Sequence, residues 1–88
     1  MKYVSGLEEV IYMYLSQLKI GQRAKVTSIE VKNKEVRRHL LDMGLTRGVE
    51  IEIKKIAPMG DPIDIKIRDY ELCISKENLS QIKVEVIK

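Results

Sequence analysis

The sequence predicts a mainly β domain: a small antiparallel barrel of five short strands, preceded by a helix and carrying two short helices between strands. Three observations carry that prediction. Four stretches of the second half alternate apolar and polar residues: Val49, Ile51 and Ile53; Ile63, Ile65 and Ile67; Leu72 and Ile74; Ile82, Val84 and Val86. Such a period of two puts one apolar face on each strand. The links between the stretches are too short for a helical crossover, so the strands run antiparallel and bury their faces by curling together. The apolar vocabulary is mostly Ile, Val and Leu, with no Phe or Trp, which suits a pleated core.

In chain order, residues 5–15 read as the leading helix. Ser5 followed by Glu8 has the spacing of a capping box. Val4, Leu7, Ile11, Tyr14 and Leu18 recur every three or four residues, with Leu15 beside them. This stripe is expected to dock on the barrel itself; a homodimer contact and a membrane-surface contact are the other uses of such a face. The first strand follows, with Ala24, Val26 and Ser28 alternating against polar neighbours. In "NKEVRRHLLDMGL", Asn33 is an N-cap, Glu35 sits in the first turn and Gly44 stands at the stop position of a short helix. Val36, Leu40 and Met43 share its apolar face. Strands take up the rest of the chain, interrupted by "SKENL", a helical turn opened by Ser75.

Eighty-eight residues give one core, and a 44% hydrophobic fraction excludes a disordered chain. The net charge of +3 is spread over interleaved lysines, arginines and carboxylates. That pattern lacks the clustered basic face of a nucleic-acid binder. The one cysteine, Cys73, excludes an internal disulfide and a multi-cysteine metal site. The longest uncharged apolar run, "VIYMYLSQL", is far short of the ~20 residues of a membrane helix. The start of the chain does not read as a secretory signal. A soluble cytoplasmic protein without direct membrane insertion is the expectation.

No catalytic constellation stands out. His39 is the only histidine and lies at the rim of the helix stripe. Asp61, Asp64 and Asp69 lack the dense ladder of a calcium loop, and Asp61 and Asp69 fall in turns. The metal alternative would place ferrous iron on Asp61, Asp64 and His39 as mixed oxygen and nitrogen ligands. Strand phase turns Cys73 to the outer face, where it is expected half-buried beneath the leading helix. "PMGDP", residues 58–62, holds both prolines, and its stiffness suits a hinge between strands. A stiff loop also loses little entropy on binding, so a contact role is compatible with that geometry.

Three blocks, "RRHLLDMGLTRGVEIEI", "APMGDPIDIKI" and "YELCISKENLSQIKV", resemble the ferrous-iron transport protein A family, FeoA. The matching positions are Arg37, Leu40, Met43, Gly44, Leu45, Gly48, Pro58, Gly60, Asp61 and Pro62, and the resemblance runs over residues 13–88. Residues 1–12 stand outside it as a helical extension. The resemblance implies an SH3-like barrel and a non-enzymatic accessory role in ferrous iron uptake. Its implied partner is the cytoplasmic GTP-binding part of the transporter FeoB. The expected contacts are Arg37, Arg38 and His39 on the helix and Met59, Gly60 and Asp61 on the loop. Gly44, Gly48, Pro58 and Pro62 are its structural marks, and no cofactor is implied beyond weakly held Fe2+. The alternatives are an iron sensor or carrier, or a regulatory SH3-like domain related to the C-terminal domains of metal-dependent repressors.

Overall fold

The computed structural model describes residues 2–5 and 8–87. Its elements are β1 (Lys2–Ser5), β2 (Glu8–Tyr14), a 3-10 turn (Leu15–Gln17), β3 (Arg23–Ile29), α1 (Lys34–Asp42), β4 (Glu50–Ile56), β5 (Ile63–Ile67), β6 (Tyr70–Ile74), α2 (Lys76–Leu79) and β7 (Ile82–Ile87). All neighbouring strands are antiparallel, in the order β1-β2-β7-β3-β4-β5-β6. The sheet is strongly curved around one core but open: β1 and β6 are its two edges.

Strands β4 to β7 form because their odd or even residues bury together. Ile51, Ile53, Ile63, Ile65, Ile67, Leu72, Ile74, Ile82 and Val84 all lie in the core. Each such side chain contributes roughly 1.5–3 kcal/mol of burial. Strand β3 keeps that alternation only to Val26. A bulge between Val26 and Ser28 shifts its register against β7. The Thr27 hydroxyl there donates to the Lys83 carbonyl at 3.0 Å. Beyond the bulge Ile29 packs on the core and Val31 is buried, while Ser28, expected inward, donates to Glu30 at 3.2 Å.

The leading helix is corrected. Residues 8–14 form a strand, so the five expected strands become seven among the described residues. The outer half of β2 pairs with β1, from Ser5↔Glu8 to Lys2↔Ile11; its inner half pairs with β7, from Tyr12↔Glu85 to Tyr14↔Lys83. Residues 6 and 7, also covered by the helix expectation, lie outside the described residues. The reason is legible in hindsight. "EVIYMYL" is rich in β-branched and aromatic residues, and Met13 and Leu15 continue a two-residue period into the core. The vacant side of β7 then decides between two compatible patterns. The Gln17 side chain accepts the Tyr14 N–H at 2.8 Å, ending the strand and opening the 3-10 turn. Leu15 and Leu18 are buried there, so the stripe proposed for a homodimer does not exist as such. Tyr12, Tyr14 and Tyr70 all lie in the sheet.

Among the described residues, no helix is long and apolar enough to cross a membrane. Backbone chemical shifts test the N-terminal correction. Residues 8–14 should show strand-type Cα shifts and a cross-strand contact between Met13 and Val84; helical shifts over this stretch would overturn it.

Candidate docking site

Helix α1 is fixed at both ends. The Asn33 side chain accepts the N–H groups of Glu35 and Val36 at 3.0 and 3.1 Å. Glu35 in the first turn also suits the positive end of the helix. At the other end the Gly44 N–H donates to Leu41 and the Leu45 N–H donates to Leu40, both at 3.0 Å. This paired closure needs a left-handed residue, which Gly44 supplies at φ +98°. Leu40 and Leu45 are both buried, so the closure drives the helix end into the core.

Tyr70, the first residue of β6, then ties helix to strand. Its hydroxyl donates to the Met43 carbonyl, and it lies over Gly44 so closely that any Cβ there would collide with it. Between α1 and the β6 edge runs an open groove of about 380 Å³. Val36, Leu40 and Met43 line it from the helix, and Leu72, Cys73 and Ile74 from the strand. Ser75 and Asn78 close one end, and Glu35 and His39 stand at the helix rim.

The loop after β4 is held against that same end. Within it the Gly60 N–H donates to Ala57 at 2.7 Å, and Gly60 has φ +87°. Asp61 does not cap its own turn. Its carboxylate accepts the Lys76 N–H at 2.7 Å, at the first residue of α2. Met59 stands at the tip, 92% exposed. A second open hollow, about 410 Å³, lies on the other side of this loop. Ile20, Ile56, Ala57, Pro58 and Pro62 form most of it, with Lys55 and Asp64 at its border. Ile20 is 60% exposed.

The residues expected to make contacts are thus only partly brought together. His39 faces the groove, whereas Arg37 points to the opposite flank beside Leu41 and Arg47, and Arg38 is exposed. Residues 37 to 39 are consecutive, so a helix spreads them over different faces. Met59–Asp61 adjoins the groove through Lys76 and Ser75. Gly48 turns the chain into β4 at φ +89°. Among the described residues no three His, Cys, Asp or Glu side chains are grouped to hold a metal ion. Asp61 is already engaged by Lys76, while Asp64 faces Cys73 across the β5–β6 pair. Sequence reasoning missed the β6 wall, Glu35, Asn78 and Ile20. Alternation gave Leu72 and Ile74 a face, but not the helix that would stand beside them.

Cys73 is exposed rather than half-buried, because the helix expected to cover it is a strand elsewhere in the sheet. A hydrogen bond to Asp64 lifts its thiol above the usual range, with slight desolvation and the charges of Asp64 and Asp61 adding to this.

Two predictions follow from this geometry. Gly44→Ala should lower unfolding stability by roughly 1–3 kcal/mol in urea titration, since both backbone conformation and the Tyr70 contact oppose a methyl group. Tyr70→Phe should relieve the contact part of that defect in the double variant, the backbone strain at φ +98° remaining; strict additivity of the two changes would deny the contact. For Cys73, the thiolate is the reactive form, so alkylation should set in at higher pH than for a free thiol. Asp64→Asn should move the alkylation profile to lower pH, and an unmoved profile would rule out the Asp64 contact.

Comparison with known proteins places the chain in a family. Residues 13–86 match the family model of the FeoA domain. A fusion of Fe(2+) transport protein A with the Fe(2+) transporter FeoB, from Porphyromonas gingivalis, is 33% identical over 75 residues. The match takes in 85% of this chain and 9% of that much longer protein. The solution structure of a FeoA protein from Chlorobium tepidum is 38% identical and covers 86% of this chain and 71% of its own, with a TM-score of 0.81. The zinc-complexed crystal structure of FeoA from Stenotrophomonas maltophilia, described as an SH3 domain protein, has a TM-score of 0.72. It covers 82% of this chain and 88% of its own at 23% identity, and at that identity the likeness speaks for the SH3-like fold alone.

Proposed function

The chain belongs to the FeoA domain family, a family of ferrous iron transport, and from that premise we propose that it is an accessory docking module acting on the cytoplasmic GTP-binding part of FeoB. The observation that carries this reading is the groove between α1 and the β6 edge. It is open, mostly apolar, and bounded by elements that hydrogen bonds fix in place. Preorganised walls of this kind favour binding because little conformational freedom remains to be lost. The fusion of the two proteins in P. gingivalis supports the choice of partner, since chains joined in one polypeptide work at high effective concentration.

On this reading the module works in the cytoplasm and performs no chemistry of its own. The groove takes a segment of the partner, and the Met59 tip adds an apolar contact beside it. His39 and Glu35 form a polar rim. Arg37, on the far flank of α1, lies outside the contact. Ferrous iron is the cargo of the transporter and needs no resident site here.

A titration of isotope-labelled protein with the cytoplasmic GTP-binding domain of FeoB tests the proposal. Amide shifts are expected at Val36, His39, Leu40 and Met43, at Leu72–Ser75 and at Met59–Asp61, with Arg47 and Thr27 unmoved. Absence of shifts in the groove at saturating domain would overturn it. Anaerobic Fe2+ alone should leave the same amides in place; shifts centred on His39, Asp61 and Asp64 would instead favour a sensor.

A further inference from the structure

Helix α1 has a second flank, away from the groove. There Arg37 and Leu41 stand over Thr27, Ser28 and Ile29 of β3, and Arg47 closes an open hollow of about 350 Å³. The bulge at Thr27 shapes its floor, and the Gly48 N–H, donating to the Val26 carbonyl at 2.7 Å, sets Arg47 beside that bulge. Among the described residues the ion pairs are Arg23–Glu50 and Lys54–Glu52, so both guanidiniums of the hollow are unmatched. No carboxylate lines the hollow. Those of the surrounding elements are engaged or turned elsewhere. Glu30 accepts the Ser28 and Tyr14 hydroxyls at 3.2 and 3.1 Å, and Glu50 is paired with Arg23. On the helix, Asp42 and Glu35 lie about 140° and 160° round from Arg37, whereas Leu41 lies only about 40° away. Asp42 shares its side with Arg38, four residues before it, and Glu35 lines the groove. Lys83, opposite Ser28 in the β3–β7 register, offsets Glu30 in charge, and Lys34 lies about 60° from Arg37 on the helix. The flank is therefore positive on balance, by both arginines and Lys34.

Such a surface selects an anion, and its lining narrows the kind. The Thr27 and Ser28 hydroxyls already donate, to the Lys83 carbonyl and to Glu30, so the lining side chains offer a small free anion two guanidinium forks in an open space. Leu41, 38% exposed, and half-buried Ile29 offer apolar area that a bare anion would leave uncovered. We infer that the hollow docks an acidic segment of a second protein partner, with carboxylates on Arg37 and Arg47 and an apolar side chain over Leu41 and Ile29. An arginine fork takes a carboxylate through two parallel hydrogen bonds, which fixes orientation, while the apolar contact adds buried area. This inference does not depend on what fills the groove. Groove and hollow lie on different flanks of α1, so the helix stands between two partners and the domain bridges them.

Three synthetic peptides test this on the intact chain at low ionic strength: Ac-Gly-Glu-Glu-Leu-Glu-Glu-Gly-NH2, the same peptide with Gln for every Glu, and the Glu peptide with Ser for Leu. The Glu peptide should shift the amides of Thr27–Ile29, Arg37, Leu41 and Arg47 and leave Leu72–Ile74 in place. Both control peptides should bind more weakly. Arg37→Gln and Arg47→Gln, both at exposed positions, should each weaken the Glu peptide about two- to fivefold, the effect of one exposed ion pair. The double variant should bind the Glu and Gln peptides equally, with unchanged shifts outside the hollow. Silence of the Glu peptide, equal binding of either control, or a preference that survives the double variant would each overturn the proposal. So would inorganic phosphate saturating the same amides at lower concentration than the Glu peptide. A preference for phosphatidylglycerol over phosphatidylcholine vesicles, lost in the double variant while the peptide is silent, would put a membrane surface in place of the segment. The GTP-binding domain of FeoB should not compete with the Glu peptide; competition would merge the two sites and overturn the second partner. If that domain leaves the groove unshifted while the peptide binds as described, the docking reading falls and this one stands.

Discussion

Strand β7 is the element on which the rest of the structure depends. It lies between β2 and β3 and pairs with both, so the last strand of the chain is inserted between the first ones. Ile82 and Val84 on its inner face are fully buried, and the 3-10 turn after β2 packs against it. Without β7 the inner half of β2 would have no partner, and β3 would be paired on one side only. These pairings join residues from 53 positions apart (Ile29 and Ile82) to 73 (Tyr12 and Glu85), so the sheet is completed only after a large loop has closed. The single core and the late-closing strand make the domain one cooperative unit rather than two.

That dependence explains what could be read from the sequence. Strands β4 to β7 are legible because each has one partner face and a clean period of two. Helix α1 is legible because Asn33, Glu35 and Gly44 act through local hydrogen bonds that need no tertiary partner. The segment before Leu15 carries both a helical and an alternating pattern, and only the free side of β7 settles the matter. Nothing local reports that vacancy. The bulge at Thr27 is equally hidden, since it is stabilised by the Lys83 carbonyl far along the chain. A hydroxyl at that position has no special meaning until β7 arrives.

The same division runs through the site. Gly44 is legible as a helix stop, yet the structure gives it a second constraint, the Tyr70 hydroxyl set against it. Asp61 is legible as a turn residue, but its carboxylate serves α2 instead, fixing the loop to the next element. In both cases a residue chosen for local geometry also joins two parts of the surface. The stiffness of "PMGDP" is therefore not only intrinsic to its prolines. It is anchored at one end by the strand pair and at the other by the Lys76 N–H, which leaves Met59 projecting from a fixed base.

Edge strands explain why the surface is where it is. An unpaired edge presents free backbone groups and invites other chains, so folded domains keep such edges short, charged or covered. Here β6 has five residues, and α1 stands beside it, tied on by Tyr70. Cover by the helix is incomplete, since an open groove separates it from the strand. The unfilled space is the groove, lined by Leu72 and Ile74 from below and Val36 and Met43 from the side. The helix placed at the edge and the groove beside it are thus one structural feature. The helix stands beside the edge, and the gap between them is lined mostly by apolar side chains. Asp64 and Cys73, paired on the outer face, lie between the two hollows and join their borders.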